Sequence, residues 1–143
     1  LSELLQLKPM FKDYDYHIIT ERTKSTLALY KEYGEKIDYL TYTTKDHLFS
    51  HFFKFIKNIF RSIYLYIMIR PKYIVTTGTH TAVPMCYIGK LFRCKIVFIE
   101  TFENINTRTL SGRLIYPISN LFIVQWKEML KLYPKAVYAG WIY

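Results

Sequence analysis

Two hydrophobic periods alternate along this chain. Short β-branched or aromatic runs recur at Tyr16–Thr20, Ile37–Tyr42, Tyr73–Thr77, Lys95–Ile99 and Leu121–Val124, with a weaker one at Ala136–Tyr138. Each is bounded by polar or turn-forming residues and predicts a strand. Between them, apolar positions three and four apart predict helices at Ser2–Phe11, Thr23–Tyr33, Asp46–Ile69, Thr81–Phe92, Leu110–Ser119 and Lys127–Leu132. The runs YIVTT and KIVFI are apolar on both faces, as in strands covered by helices on each side of a parallel sheet. The alternation therefore predicts an α/β fold, a Rossmann-like doubly wound parallel sheet, and 143 residues suffice for one such domain. The chain opens at Leu1 inside a helical pattern with no strand before it, which reads as a truncated start.

The segment DHLFSHFFKFIKNIFRSIYLYIMIR departs from ordinary amphipathicity. His47, Ser50, His51, Lys54, Lys57, Asn58, Arg61 and Ser62 fall at steps of three and four and form one narrow polar stripe. The other positions are apolar over an arc wider than one sheet face can bury. Such a helix suits a bilayer interface, where rings enter the acyl boundary and cations meet lipid phosphates. The expected membrane contacts are Phe49, Phe52, Phe53, Lys54, Lys57, Phe60 and Arg61. The alternative is a helix buried between the sheet and a partner subunit. No charge-free stretch approaches the roughly 18 apolar residues that span a bilayer, so membrane contact is expected to be peripheral.

Charge bears on the partner. Twenty Lys and Arg against eleven Asp and Glu give a net charge of +9, which favours an anionic surface. Nucleic acid would call for exposed cations with aromatics on a strand platform, whereas here the aromatics are helical, so no nucleic acid is expected. Cys86 and Cys94, the only cysteines, lie in or beside an apolar helical stretch without metal-ligand spacing, so reduced thiols and no metal are expected.

In doubly wound folds ligands sit beyond the carboxyl ends of the strands. There YIVTT runs into GTHTAVP, with Gly78 at the turn, then Thr79, His80 and Thr81 as helix N-cap, and Pro84 in the first turn. Free amides at a helix N-terminus bind anions, so Gly78–Thr81 is a candidate phosphate cradle, although a single glycine also suits an ordinary βα turn. His80 has two readings, a phosphate donor or general base and a locally satisfied loop histidine. Glu100 ends KIVFIE on the same edge, and its type admits orienting an acceptor hydroxyl, capping a helix or pairing with a cation. Arg113, after Ser111 and Gly112 at the next helix start, is a candidate arm of a second anion site or a solvated arginine. Trp126, Trp141 and Tyr143 gather near the end of the chain as candidate subunit contacts. No GxGxxG or GxxxxGK[ST] occurs.

Taken in order, HLFSHFFKF, TTGTHTAVPMCYIGKLF, KIVFIETF, TLSGRLIYPISNLFIVQW and YPKAVYAGWIY resemble the PssD-type capsular and exopolysaccharide biosynthesis proteins. These are bacterial relatives of the membrane-anchoring subunit of the split N-acetylglucosaminyltransferase in dolichol-linked oligosaccharide synthesis. The resemblance implies the N-terminal half of a GT-B glycosyltransferase, without a cofactor, that needs a small UDP-sugar-binding subunit carrying the C-terminal half. It implies a polyprenyl-diphosphate-linked sugar acceptor at the cytoplasmic face of the plasma membrane, with UDP-galactose as a frequent donor. A recruiting module for an otherwise active transferase subunit is the competing expectation. The family begins with a strand and a Gly-Gly-His loop that have no counterpart ahead of Leu1, so the resemblance assigns no catalytic residue here.

Overall fold

A computed structural model describes residues 1–42 and 48–142, with backbone alone for 48–52. The strands are β1 (Ile18–Glu21), β2 (Ile37–Leu40), β3 (Tyr73–Thr76), β4 (Lys95–Ile99), β5 (Leu121–Val124) and β6 (Val137–Tyr138). The helices are α1 (Ser2–Leu5), α2 (Lys24–Leu27), α3 (Tyr30–Tyr33), α4 (Leu48–Ile69), α5 (Ala82–Leu91) and α6 (Leu110–Ile115). All strand pairs are parallel, in a β1-β2 sheet and a β3-β4-β5-β6 sheet.

The predicted strands form close to their expected bounds, while several helices are shorter than their hydrophobic period suggests. The Ser2–Phe11 helix stops at Leu5 and continues as a 3-10 segment over Lys8–Asp13, with Pro9 at its start, where no amide is available to extend the α-helical ladder. The Thr23–Tyr33 pattern divides into α2 and α3. Thr23 caps α2 reciprocally with Thr26, and the Thr26 hydroxyl also donates to the Glu21 carbonyl. α6 ends at Ile115 rather than Ser119, just ahead of Pro117, and Lys127–Lys131 is a 3-10 turn rather than an α-helix.

The main core lies between the larger sheet and α4, α5 and α6, and is built from Leu65, Tyr66, Met85, Cys86, Ile96, Phe98, Ile115, Phe122, Val124 and Tyr133. A smaller cluster of Ile18, Tyr33 and Ile37 gathers Leu1, Leu5 and Phe11. β1 joins the two, because Ile19 packs on the main core while Ile18 serves the smaller one. The outer edge of β3 has no strand partner among the described residues, and Tyr73 and Val75 are exposed.

α4 spans 22 residues, about 33 Å, and packs chiefly on α5. Its orientation corrects the single polar stripe read from the sequence. Asn58 and Ser62 turn inward with Leu65 and Tyr66, at 1% and 0% exposure respectively for the two polar residues. Asn58 lies against the residue that follows β2, where its Oδ1 accepts from the Thr41 amide at 2.8 Å and its Nδ2 donates to the Thr41 carbonyl at 2.9 Å. The Ser62 hydroxyl is buried without a side-chain hydrogen-bond partner. Phe53, Phe60, Tyr64 and Ile67 form one outward row at steps of seven, four and three, with Met68 exposed beside them. His47 and the side chains of Phe49, Ser50, His51 and Phe52 lie outside the described residues. No helix among the described residues is long and apolar enough to cross a membrane.

The turns after α4 and α5 place arginine where glycine is the least strained residue. Arg70 and Arg93 have φ of 47° and 62°. After α5 the Arg93 amide donates to the Lys90 carbonyl and the Cys94 amide to the Gly89 carbonyl, a Schellman closure. A non-glycine residue in this region costs about 1 kcal/mol.

Candidate functional site

The carboxyl ends of β3 and β4 open into a polar cleft of about 330 Å³. Gly78 and Thr79 line it from the turn after β3, Thr101, Glu103 and Asn104 from the loop after β4, Thr109 from the start of α6, and Ser2 and Glu3 from α1. Gly78 has φ of 83°, and a Cβ there would lie 2.8 Å from the Phe98 ring, so both the turn and the packing require glycine.

Two carboxylates fix the far wall. The Glu3 Oε1 accepts from the Thr101 hydroxyl at 2.8 Å and from the Phe102 amide at 3.2 Å, so α1 holds the loop that follows β4. Glu100, 1% exposed, accepts from the Thr109 hydroxyl at 2.9 Å, the Tyr133 hydroxyl at 3.1 Å and the Thr101 amide at 3.2 Å. Its backbone carbonyl accepts from Gln125 Nε2 at 3.0 Å. Burial raises the Glu100 pKa, and the bonds from Thr109, Thr101 and Tyr133 oppose that shift without cancelling it. Burial, followed by the adjacent Glu100 charge, raises the Tyr133 hydroxyl as well.

Among the contacts of Glu100 is one to a helix cap, made through Thr109. The Thr109 side chain is the N-cap of α6 and accepts from the Gly112 amide at 2.9 Å while donating to Glu100. An added Cβ at Gly112 would meet Glu100 Oε2 at 2.4 Å, Tyr133 Oη at 2.6 Å and Thr109 Oγ1 at 2.8 Å. The α6 N-terminus thus faces a hydroxyl backed by a carboxylate, and an anion there would meet negative charge. Arg113 is exposed, four residues past the cap, and stands apart from the cleft lining.

The remaining candidates divide. Gly78 and Thr79 line the cleft, His80 is exposed beside it, and Thr81 is buried. The Thr81 hydroxyl donates to Glu21 Oε1 at 3.0 Å, which brings the end of β1 to the start of α5 and sets a carboxylate beside those amides. The cleft offers hydroxyls, amides and carboxylates, a set that exchanges hydrogen bonds with a polyol more readily than it holds a bare anion.

Among the cleft residues that sequence reasoning missed are Ser2, Glu3, Thr101, Glu103, Asn104 and Thr109. Thr109 carried a usable signal, a threonine directly before the helical LSGRLI. Glu3 carried none, since its partner Thr101 is 98 positions away. Trp126 is half-buried, donates from Nε1 to the Phe102 carbonyl and packs on that ring, while Trp141 lies on Phe102 at 5.1 Å and is 75% exposed. Tyr143 lies outside the described residues.

Comparison with known proteins agrees with this architecture. The crystal structure of Acinetobacter baumannii MurG superposes with a TM-score of 0.67 over 88% of this chain and 37% of that one, at 12% identity, a likeness of fold and of the GT-B type. The UDP-N-acetylglucosamine transferase subunit ALG14 of Candida albicans is 39% identical over 77 residues, 50% of this chain and 35% of the yeast protein. That of Debaryomyces hansenii is 33% identical over 117 residues, 73% of this chain and 50% of its own length. The chain thus spans between about a third and a half of these curated relatives. The family model described as oligosaccharide biosynthesis protein Alg14 like matches residues 41–142, from the Thr41 backbone that Asn58 holds to the tail on Phe102, and the chain belongs to that family.

Proposed function

We propose that this chain, as a single GT-B N-terminal-type domain, is the membrane-associating, acceptor-binding subunit of a two-subunit UDP-sugar glycosyltransferase. It seats a polyprenyl-diphosphate-linked sugar at the cytoplasmic face of the membrane, and a separate small subunit brings the donor. The observation that carries this reading is α4, which hides Asn58 and Ser62 and exposes Phe53, Phe60, Tyr64, Ile67 and Met68. A helix in a free-standing domain buries its apolar side, whereas an interfacial helix presents rings to the acyl boundary with cations such as Lys54 and Lys57 at the headgroups. The subunit name carried by the curated relatives supports a divided enzyme. The cleft receives the acceptor's sugar hydroxyls, and Trp141, with Trp126 beneath its Phe102 support, contacts the donor subunit.

Donor identity follows two leads, UDP-N-acetylglucosamine from the relatives' names and UDP-galactose for a capsular or exopolysaccharide lipid from the PssD-type likeness. The test is sugar transfer to polyprenyl-diphosphate-glucose in vesicles from either donor, with the chain alone and with a cognate UDP-sugar-binding subunit. Transfer is expected only from the pair, and transfer by the chain alone rejects the division.

One observation favours a purely recruiting module, namely that Glu21 already occupies the hydroxyl at the start of α5, where an acceptor phosphate would sit. A Thr79→Val, His80→Ala variant separates the two readings. Acceptor binding predicts a loss of about tenfold or more in assisted transfer, and recruitment predicts no change.

A further inference from the structure

A hydroxyl both gives and takes hydrogen bonds, so what it offers a ligand depends on where its single proton is held. Four threonines line the cleft, and in three of them that proton is directed, at one or two steps, to a carboxylate. The Thr101 hydroxyl donates to Glu3 Oε1 at 2.8 Å, and the Thr109 hydroxyl to the Glu100 carboxylate at 2.9 Å. The third case runs through a buried neighbour. The Thr81 hydroxyl donates to Glu21 Oε1 at 3.0 Å, so in its 2.8 Å bond with the Thr79 hydroxyl the donor is Thr79. All three oxygens are left with lone pairs and no proton to give.

The backbone amides of the lining follow the same pattern. Those of Gly78, Thr101, Glu103 and Asn104 donate to the Thr76 hydroxyl, Glu100 Oε1, the Thr101 hydroxyl and the Thr101 carbonyl respectively. Glu3 and Glu103 add carboxylates, and no lysine, arginine or histidine lies on the lining among the described residues. Side-chain protons remain on Asn104, Ser2 and Thr77. In a chain of net charge +9 this cleft is weighted towards acceptors and negative charge. A sugar hydroxyl brings a proton to such a surface, whereas the oxygens of a diphosphate bring lone pairs and more negative charge.

We propose that Glu3, Glu21 and Glu100 are positioning residues that set the specificity of the cleft. By holding the protons of Thr101, Thr79 and Thr109 they make it take the hydroxyls of an uncharged sugar as hydrogen-bond donors and turn phosphate away. The inference rests on the acceptor-binding reading and fixes how the acceptor lies, with its sugar inward and its diphosphate outside the lining. In that arrangement the Glu21–Thr81 pair at the start of α5 directs Thr79 and leaves no seat for a phosphate.

The test uses the full chain, isotopically labelled, and follows the amide resonances of Gly78, Thr79, Thr101 and Thr109. The probes are methyl β-glucoside, its monodeoxyfluoro analogues and inorganic pyrophosphate. Fluorine takes the place of a hydroxyl and has no proton to give. The glucoside is expected to move the cleft resonances, fluorine at one or more positions to weaken its binding about fivefold or more, and pyrophosphate to leave them in place. Fluoro analogues that all bind as well as the glucoside overturn the proposal and leave the acceptor reading standing, as does pyrophosphate that moves the cleft resonances. Resonances that neither glucoside nor pyrophosphate moves overturn both.

Glu21→Gln supplies an independent arm. The new amide can donate to Thr81 and reverse the chain of hydroxyls, so that the Thr79 proton is released and pyrophosphate binding appears. Glu103→Gln removes a charge from the lining itself without altering a partner of any threonine hydroxyl. Charge alone predicts the larger gain in pyrophosphate affinity from Glu103→Gln, because Glu21 is outside the lining. Held protons predict a gain about fivefold larger from Glu21→Gln. Equal gains, or none from Glu21→Gln, overturn the proposal. If the melting curve shows that Glu21→Gln does not fold, the fluoro analogues on the unmodified chain decide the question.

Discussion

The Glu100 hub and the outer side of α4 invert the usual partition of residues in opposite directions. At the hub a carboxylate, two hydroxyls and a glycine fill a place where most domains put aliphatic side chains. On α4, aromatic rings occupy a surface while an asparagine and a serine face the interior. The difference lies in completeness. Each oxygen of Glu100 has its donors within the chain, so the hub is a finished device that fixes the loop after β4, the cap of α6 and Tyr133 in one arrangement. The outward row of α4 is apolar and exposed, and on the proposed reading a membrane surface covers it.

Three measurements sharpen that contrast. The largest effect is expected from Gly112→Ala, which forces a methyl group among three polar atoms at 2.4 to 2.8 Å and should destabilise the fold by about 2–4 kcal/mol in urea unfolding. A loss under about 0.5 kcal/mol would mean the hub is loosely packed. Phe60→Glu, at a position 68% exposed, should leave the melting temperature within a degree or two while lowering binding to anionic vesicles about tenfold or more. A large drop in melting temperature instead would show that the ring is part of the fold.

The smallest effect concerns pH. The folded pKa of Glu100 is raised, mainly by burial, so the native state holds its proton more tightly than the unfolded chain does. The stability this group contributes is complete below the unfolded pKa and declines as pH rises from there through the folded value. Glu100→Gln should flatten that part of the stability curve, and an unchanged slope between the two pKa values would assign it to other groups.

The strands YIVT, KIVFI and LFIV were legible because continuous apolar runs bounded by turn residues have few alternatives. The turn at Gly78 was legible because a strand passing into a helix across a positive φ calls for glycine. The polar stripe of α4 was misread for a definite reason. Periodicity groups Lys54, Lys57 and Arg61 with Asn58 and Ser62, and cannot tell that the Thr41 backbone takes the asparagine inward. Similarly, Glu100 was visible as a carboxylate at a strand end, while its hydroxyl partners Thr109 and Tyr133 come from separate segments.

By itself the sequence determined the parallel α/β plan, the excess of rings and cations around α4, and the loops where a site could form, because these depend on local period and composition. Only the tertiary structure decided which side of α4 is buried, that Glu100 braces the site from behind rather than facing it, and that Glu3 and Thr101 meet. Those outcomes depend on hydrogen bonds and close packing between groups far apart in the chain, and local pattern carries no record of such partners.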